Sequence, residues 1–208
     1  METRIDGHTV MLGLFGSPVG HSGSPAMYNY SFKRVGINAA YLAFNIQADE
    51  MSNALNKMRL LNMRGANVTM PCKKVAANLV DELSPAAELV GAVNTIVNNG
   101  GILRGYNTDG AGYVENLRYH GIEPKGKQLT ILGAGGAGTA IAVQMALDGA
   151  EAIYIFNPKD VFYQNAELTA QRVMEKVPSC QVTVNDINDK TALKEAIGDK
   201  KGIKRYGS

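Results

Sequence analysis

The chain has 208 residues, 45% of them hydrophobic and 19% charged, with a formal net charge of +2. That balance suits one large or two small packed domains and argues against wholesale disorder. It is too weakly basic to point to nucleic acid, and the apolar runs are far shorter than the roughly 20 residues of a membrane span.

Strand-like and helix-like segments alternate along the chain, the pattern of an α/β protein. The apolar run 11–16 ends in Gly16 and reads as a buried strand. After the loop SPVGHSGSP, Ser24-Pro25 has the form of a helix N-cap with proline at the first helical position, and the helix runs through AMYNYSFKRVG. Residues 39–46 predict a strand, 48–61 an amphipathic helix and 65–70 a further strand, with a helix starting after Pro71. Two strand-like arms flank Asn98-Asn99-Gly100-Gly101, a hairpin turn signal. A helix is expected from about Asp109-Gly110 to Gly121.

The polar stretch EPKGKQ introduces a second unit. A strand, a glycine-rich turn, a helix closed by Gly149, a strand EAIYIFN, a helix over about 161–176 and a strand QVTVND make βαβαβ, half of a doubly wound nucleotide fold. The expected division is therefore a first α/β domain over 1–122 and a partial Rossmann domain over 123–208.

Gly133-Ala134-Gly135-Gly136-Ala137-Gly138 satisfies G-x-G-x-x-G directly after an apolar strand and at the opening of a helix. Gly133 serves the tight turn, Gly135 lets backbone approach a pyrophosphate, and Gly138 allows close packing of helix on strand. The helix N-terminus offers unpaired N–H groups and the positive end of its dipole to phosphates. NAD or NADP is the expected cofactor, held by residues 133–137 together with Asn157, Lys159 and Asp160. An acid at the end of the next strand suits ribose hydroxyls, and a cation beside it softens rejection of a 2′-phosphate. Asp160 also suits the role of N-cap for the following helix.

Four polar clusters are expected at strand ends, where open α/β sheets bind ligands: His21-Ser22-Gly23-Ser24, Asn67 to Lys73, Gly91 to Thr95, and Gly105 to Gly110. Their hydroxyls, amides, amine and carboxylate suit a small polyhydroxylated acid. Taken singly, Ser24 and Asp109 read equally as helix caps, and Asn67 and Asn94 as partners of backbone groups.

HSGSP, NVTMPCK, GAVNT, GYNTDG and GAGGA, together and in this order from about 12 to 185, resemble the shikimate dehydrogenase family, closest to its quinate/shikimate branch. The resemblance implies an NAD(P)-dependent oxidoreductase acting on a small hydroxylated cyclic carboxylate, as a monomer or homodimer. It implies Ser22 and Ser24 on the substrate carboxylate, and Thr69, Asn94 and Asp109 on ring hydroxyls. Lys73 becomes the catalytic general acid/base with Asp109 beside it, while Lys74 lies off the motif. A lysine near its free pKa of about 10.4 is a poor base at neutral pH. Desolvation lowers that value and a neighbouring carboxylate raises it, so the alternative is that Lys73 polarises the oxygen electrostatically. A methylenetetrahydrofolate dehydrogenase layout is disfavoured by the HSGSP and GYNTDG clusters.

Pro158 stands where the family commonly has arginine, which removes a clamp for a 2′-phosphate and tilts the expectation to NAD. Cys72 and Cys180 lack CxxC spacing and read as inert free thiols of a reducing, cytoplasmic setting. METRIDGHTV shows no signal-peptide layout. His8, His21 and His120 have no metal-ligand spacing, so no metal is expected, and Tyr106 is expected to pack. Relatives continue for dozens of residues beyond the basic tail GDKKGIKRYGS. The expectation is thus a chain truncated at its C-terminus, folded in its first domain, marginal in its second and poor in turnover. The alternative is a ligand-binding remnant without catalysis.

Overall fold

The computed structural model describes residues 5–198. They form two compact units that divide between Thr108 and Asp109. The tail after 197, apart from Gly198, lies outside the described residues.

The first unit is built on a six-stranded sheet. Its strands are β1 (Val10–Gly16), β2 (Ala39–Asn45), β3 (Gly65–Val68), β4 (Glu82–Leu83), β5 (Thr95–Asn99) and β6 (Ile102–Tyr106), in the order β2-β1-β3-β5-β6-β4. β1 runs parallel to β2 and β3. β5 is antiparallel to both β3 and β6, and β4 is parallel to β6. The β5–β6 hairpin turns at Gly100 and Gly101, both with positive φ, as the double-glycine signal predicts.

Helix α1 (Ser24–Val35) covers one face, where Tyr28 stacks on Tyr41 with ring centroids 4.5 Å apart and Leu14 and Val19 join them. On the other face Phe15, Val68, Ile96 and Leu103 form a core with Met51, Leu55 and Met58 of α2 (Met51–Leu60). The helix expected over 48–61 begins as a 3-10 turn, Ala48–Glu50, before α2. The short helices α3 (Lys73–Ala77) and α4 (Pro85–Val90) complete the unit.

α4 and β4 were not anticipated. Ser84-Pro85 repeats the dipeptide of Ser24-Pro25, and here the serine does cap its helix: Ser84 Oγ accepts the Ala87 N–H at 3.3 Å. At α1 the expectation fails. Gly23 is the N-cap, no side chain caps, and Ser24 lies inside the first turn, its own N–H bonded to Ser22 Oγ at 3.2 Å. Starting the helix one residue earlier removes Ser24 from the capping position.

The second unit contains α5 (Asp109–Tyr119), β7 (Gln128–Leu132), α6 (Gly136–Leu147), β8 (Ala152–Asn157), α7 (Val161–Lys176), β9 (Gln181–Asp186) and α8 (Lys190–Ile197). Its three strands are parallel, in the order β7-β8-β9. Ile153, Ile155 and Phe156 of β8 are buried, as are Val143 and Met145 of α6 and Val173 of α7.

α5 belongs to this unit, ahead of the boundary expected after 122, because it packs on α6. The approach is close enough that a Cβ on Gly110 would run into the carbonyl oxygen of Ala140. Arg118 on α5 adds ion pairs to Glu115 at 2.6 Å, Glu123 at 3.3 Å and Asp148, at the end of α6, at 2.8 Å. α8, not expected from the sequence, opens on Asp189, whose Oδ1 accepts the N–H groups of Thr191 and Ala192. Among the described residues no helix is long and apolar enough to cross a membrane.

Candidate functional site

Sheet direction places the polar clusters of the first unit. β1, β3 and β6 point the same way, so the loops that follow them leave from one edge. Three of the four clusters follow these carboxyl ends, as expected. The fourth does not end a strand: Asn94 precedes β5. Because β5 is antiparallel, its amino end arrives at that same edge. The side chain reaches its expected neighbourhood by the opposite strand direction.

Backbone bonds then stitch the edge together. The Thr69 N–H donates to Phe15 O at 2.8 Å and the Val68 N–H to Asn94 O at 2.8 Å. The Val93 N–H donates to Lys73 O at 2.9 Å, so the start of α3 is held against the residue before Asn94. Lys73 is half-buried while Lys74 is exposed. Asn94 is 9% exposed, and its Oδ1 accepts the Thr108 N–H at 3.1 Å. Thr69, Lys73, Asn94 and Thr108 are thereby brought into one region. Ser22 and Ser24 lie after the loop from β1, linked to each other through the Ser24 N–H. Asp109 follows Thr108 directly and opens α5, exposed.

Cys72 is fully buried, its thiol donating to Ile46 O at 3.3 Å, and burial pushes its pKa up. It behaves as a packed side chain at the start of α3. Tyr106 lies under the Arg104 guanidinium, 5.6 Å from ring centroid to charge. Among the described residues no cluster of His, Cys, Asp or Glu is disposed to hold a metal.

The glycine-rich turn of the second unit is a backbone device. Gly133 has φ +102°, a left-handed conformation that side chains resist, and its N–H donates to Phe156 O at 2.8 Å. A Cβ on Gly138 would collide with Gly133 O, so the helix can begin this close to the strand only on glycine. At Gly135 and Gly136 a Cβ would meet nothing within 4 Å. That open space lies at the N-terminus of the 12-residue helix α6, where the first N–H groups have no partner within the helix. A phosphate fits such a cradle on both steric and electrostatic grounds.

Asn157 and Asp160 shape this cradle. Asn157 is buried; its Oδ1 accepts the Ala134 N–H at 2.9 Å and its Nδ2 donates to Asp160 Oδ1 at 2.8 Å. Ala134 itself is 2% exposed, so these two residues are committed to the shape of the turn. Asp160 caps α7, accepting from the Phe162 and Tyr163 N–H groups at 2.8 and 3.1 Å. Lys159 is exposed next to it.

A mixed-sheet α/β unit followed by a Rossmann-type βαβαβ unit with a phosphate-ready turn defines a protein of the two-unit, dinucleotide-binding α/β class. Residues 14–96 match the family model described as the shikimate dehydrogenase substrate binding domain. A shikimate dehydrogenase (NADP(+)) of Listeria monocytogenes is 47% identical over 196 residues, covering 94% of this chain and 67% of the relative. A quinate/shikimate dehydrogenase of Escherichia coli is 46% identical over 187 residues, covering 90% of this chain and 65% of the relative. The crystal structure of shikimate 5-dehydrogenase from Listeria monocytogenes in complex with shikimate and NAD superposes with a TM-score of 0.89 at 47% identity, over 93% of this chain and 67% of that one. The chain belongs to the shikimate dehydrogenase family, and it spans about two thirds of the length of these relatives.

Proposed function

We propose that this chain is an NAD(P)-dependent oxidoreductase that reversibly oxidises a ring alcohol of shikimate or quinate to the corresponding dehydro compound. The observation that carries the reading is the gathering of Thr69, Lys73 and Asn94 at one sheet edge by the bonds from Val68 to Asn94 and from Val93 to Lys73. Relatives named for shikimate and quinate support the substrate class.

In this reading the Ser22 and Ser24 hydroxyls hold the substrate carboxylate, and Thr69, Asn94 and Asp109 hold ring hydroxyls. The dinucleotide is held at its phosphates by the N–H groups at the start of α6 around Gly135, Gly136 and Ala137, and when bound it supplies the hydride acceptor. Lys73 takes the proton of the reacting hydroxyl in oxidation and returns it in reduction, with Asp109 orienting the amine and the hydroxyl. Such positioned proton transfer contributes about 10²- to 10⁴-fold in rate.

The cofactor preference proposed is NAD over NADP. Asp160 Oδ1 is anchored by three N–H donors, which keeps a carboxylate at the end of β8; in this reading its charge disfavours a 2′-phosphate, with Lys159 as partial compensation. The proposed protein works in the cytoplasm, as a monomer or homodimer.

The test supplies NAD+ or NADP+ with shikimate or quinate and follows the absorbance of reduced nicotinamide. Reduction with NAD+ in preference to NADP+ is the expected result. A folded protein that neither reduces cofactor nor binds either acid overturns the proposal.

A further inference from the structure

A polar chain crosses the α1-facing side of the first sheet and ends on Asn94. It starts at Tyr41 of β2, which is 2% exposed. The ring is fixed by stacking on Tyr28. Its backbone is fixed by Asn29, whose Nδ2 donates to Tyr41 O at 2.8 Å and whose Oδ1 accepts the Tyr41 N–H at 2.9 Å. Burial raises the pKa of the hydroxyl, so it remains a proton donor at any ordinary pH.

The links from Tyr41 to Asn94 share one polarity. Tyr41 donates to Asn67 Oδ1 at 2.9 Å. That sets the Asn67 carboxamide so that its Nδ2 donates to Thr95 Oγ1 at 3.2 Å. With its oxygen accepting, Thr95 gives its proton to Asn94 Oδ1 at 3.1 Å. The Thr108 N–H arrives at the same oxygen at 3.1 Å. A carbonyl oxygen has two lone pairs, and three donors from within the unit crowd this one: the Thr95 hydroxyl, the Thr108 N–H and the Thr108 hydroxyl at 3.2 Å. A ligand therefore meets the carboxamide through its nitrogen, the end that also donates to Thr108 Oγ1 at 3.1 Å.

We propose that Tyr41 is a positioning residue that acts through Asn67 and Thr95 to fix Asn94 as a hydrogen-bond donor toward a ring hydroxyl of the substrate. The inference rests on the reading of Asn94 as a substrate-binding residue. It explains why a buried tyrosine two strands away from β3 directs its hydroxyl along the sheet: the chain carries an orientation, and orientation decides which end of a symmetric-looking amide meets the ligand. A ring lacking the accepting oxygen then loses affinity, because the bond made to the intact substrate is gone.

The experiment measures shikimate affinity by calorimetry on the full chain for the unaltered protein, Tyr41→Phe, Thr95→Val, Thr95→Ser, Asn94→Ala and the double variant Tyr41→Phe/Asn94→Ala. Tyr41→Phe and Thr95→Val are each expected to weaken binding about three- to tenfold, the scale of one net hydrogen bond. Thr95→Ser, which keeps the hydroxyl, is expected to restore it. The double variant should bind no more weakly than Asn94→Ala alone, since coupled residues are non-additive, and dinucleotide affinity should be unchanged throughout. If Tyr41→Phe does not fold, Thr95→Val interrupts the same chain at nearly constant shape and decides the matter. Equal weakening by Tyr41→Phe in the unaltered and the Asn94→Ala backgrounds, or none in a folded variant, overturns the relay while leaving the reading of Asn94 standing. Unchanged affinity in Asn94→Ala removes that reading and the relay with it.

Discussion

The two units hold their polar groups by different means. In the first, side chains carried on separate strands converge at one sheet edge, and hydrogen bonds such as Tyr41 to Asn67 and Thr95 to Asn94 set their orientation. In the second, the cradle is backbone: its shape comes from residues without a Cβ at 133 and 138, and from Asn157 bonded to the Ala134 N–H. In the proposed reading the side-chain site meets the hydroxyls of a small ring. The backbone site would meet charge, and at Gly138 it has no room for a side chain. Substitutions at the bonded side chains of the first unit and at the glycines of the second should therefore fail in opposite ways, by truncation and by addition.

The largest effect expected is on chemistry. Lys73→Ala should lower kcat for shikimate oxidation by about 10²- to 10⁴-fold while shikimate binding, read by calorimetry, is largely kept. A variant with normal kcat would place proton transfer elsewhere. Gly138→Ala is the complementary addition. The new methyl meets Gly133 O, and overpacking of this kind costs about 1–3 kcal/mol. Denaturant melts should show the loss, together with weakened dinucleotide binding, and unaltered shikimate affinity would confine the damage to the second unit.

Smaller again is Asp160→Ala, which deletes the cap of α7 and the anchor of Asn157. A loss of about 0.5–2 kcal/mol is expected, with a relative gain for NADP over NAD in steady-state KM values; no change in that ratio would remove Asp160 from cofactor selection.

The smallest effect belongs to pH and to the first unit. The Leu103 N–H and then Arg59 hold the Asp81 carboxyl below its ordinary value. A depressed pKa stabilises the fold above the unfolded value, about 3.9, and the contribution disappears as the pH falls through the lower folded value. Asp81→Asn should flatten that part of the stability profile. The pair is partly exposed, so the change should be slight and should shrink in salt.

Much of this architecture is readable from local signals. The hairpin turn at 98–101 and the βαβαβ order of the second unit follow from apolar runs punctuated by glycine and proline. The turn around Gly133 is legible because its demands are local: Gly133 has a positive φ, and Gly138 lies against the carbonyl oxygen of Gly133, five residues back. The two-residue strand β4 is too short to carry any period, and it exists only because β6 offers it a partner. Helix α4 did carry a signal in Ser84-Pro85, the dipeptide that begins α1 differently.

The sequence alone determined the class of each segment and the residue types available for binding, because turn chemistry and hydrophobic period act over a few neighbours. Only the tertiary structure decided that β5 runs antiparallel and delivers Asn94 by its amino end. Only there do Tyr41, Asn67 and Thr95 line up with it. The physical reason is range: a hydrogen bond has direction, and residues 26 or more positions apart acquire a mutual direction only when strands have been paired in register.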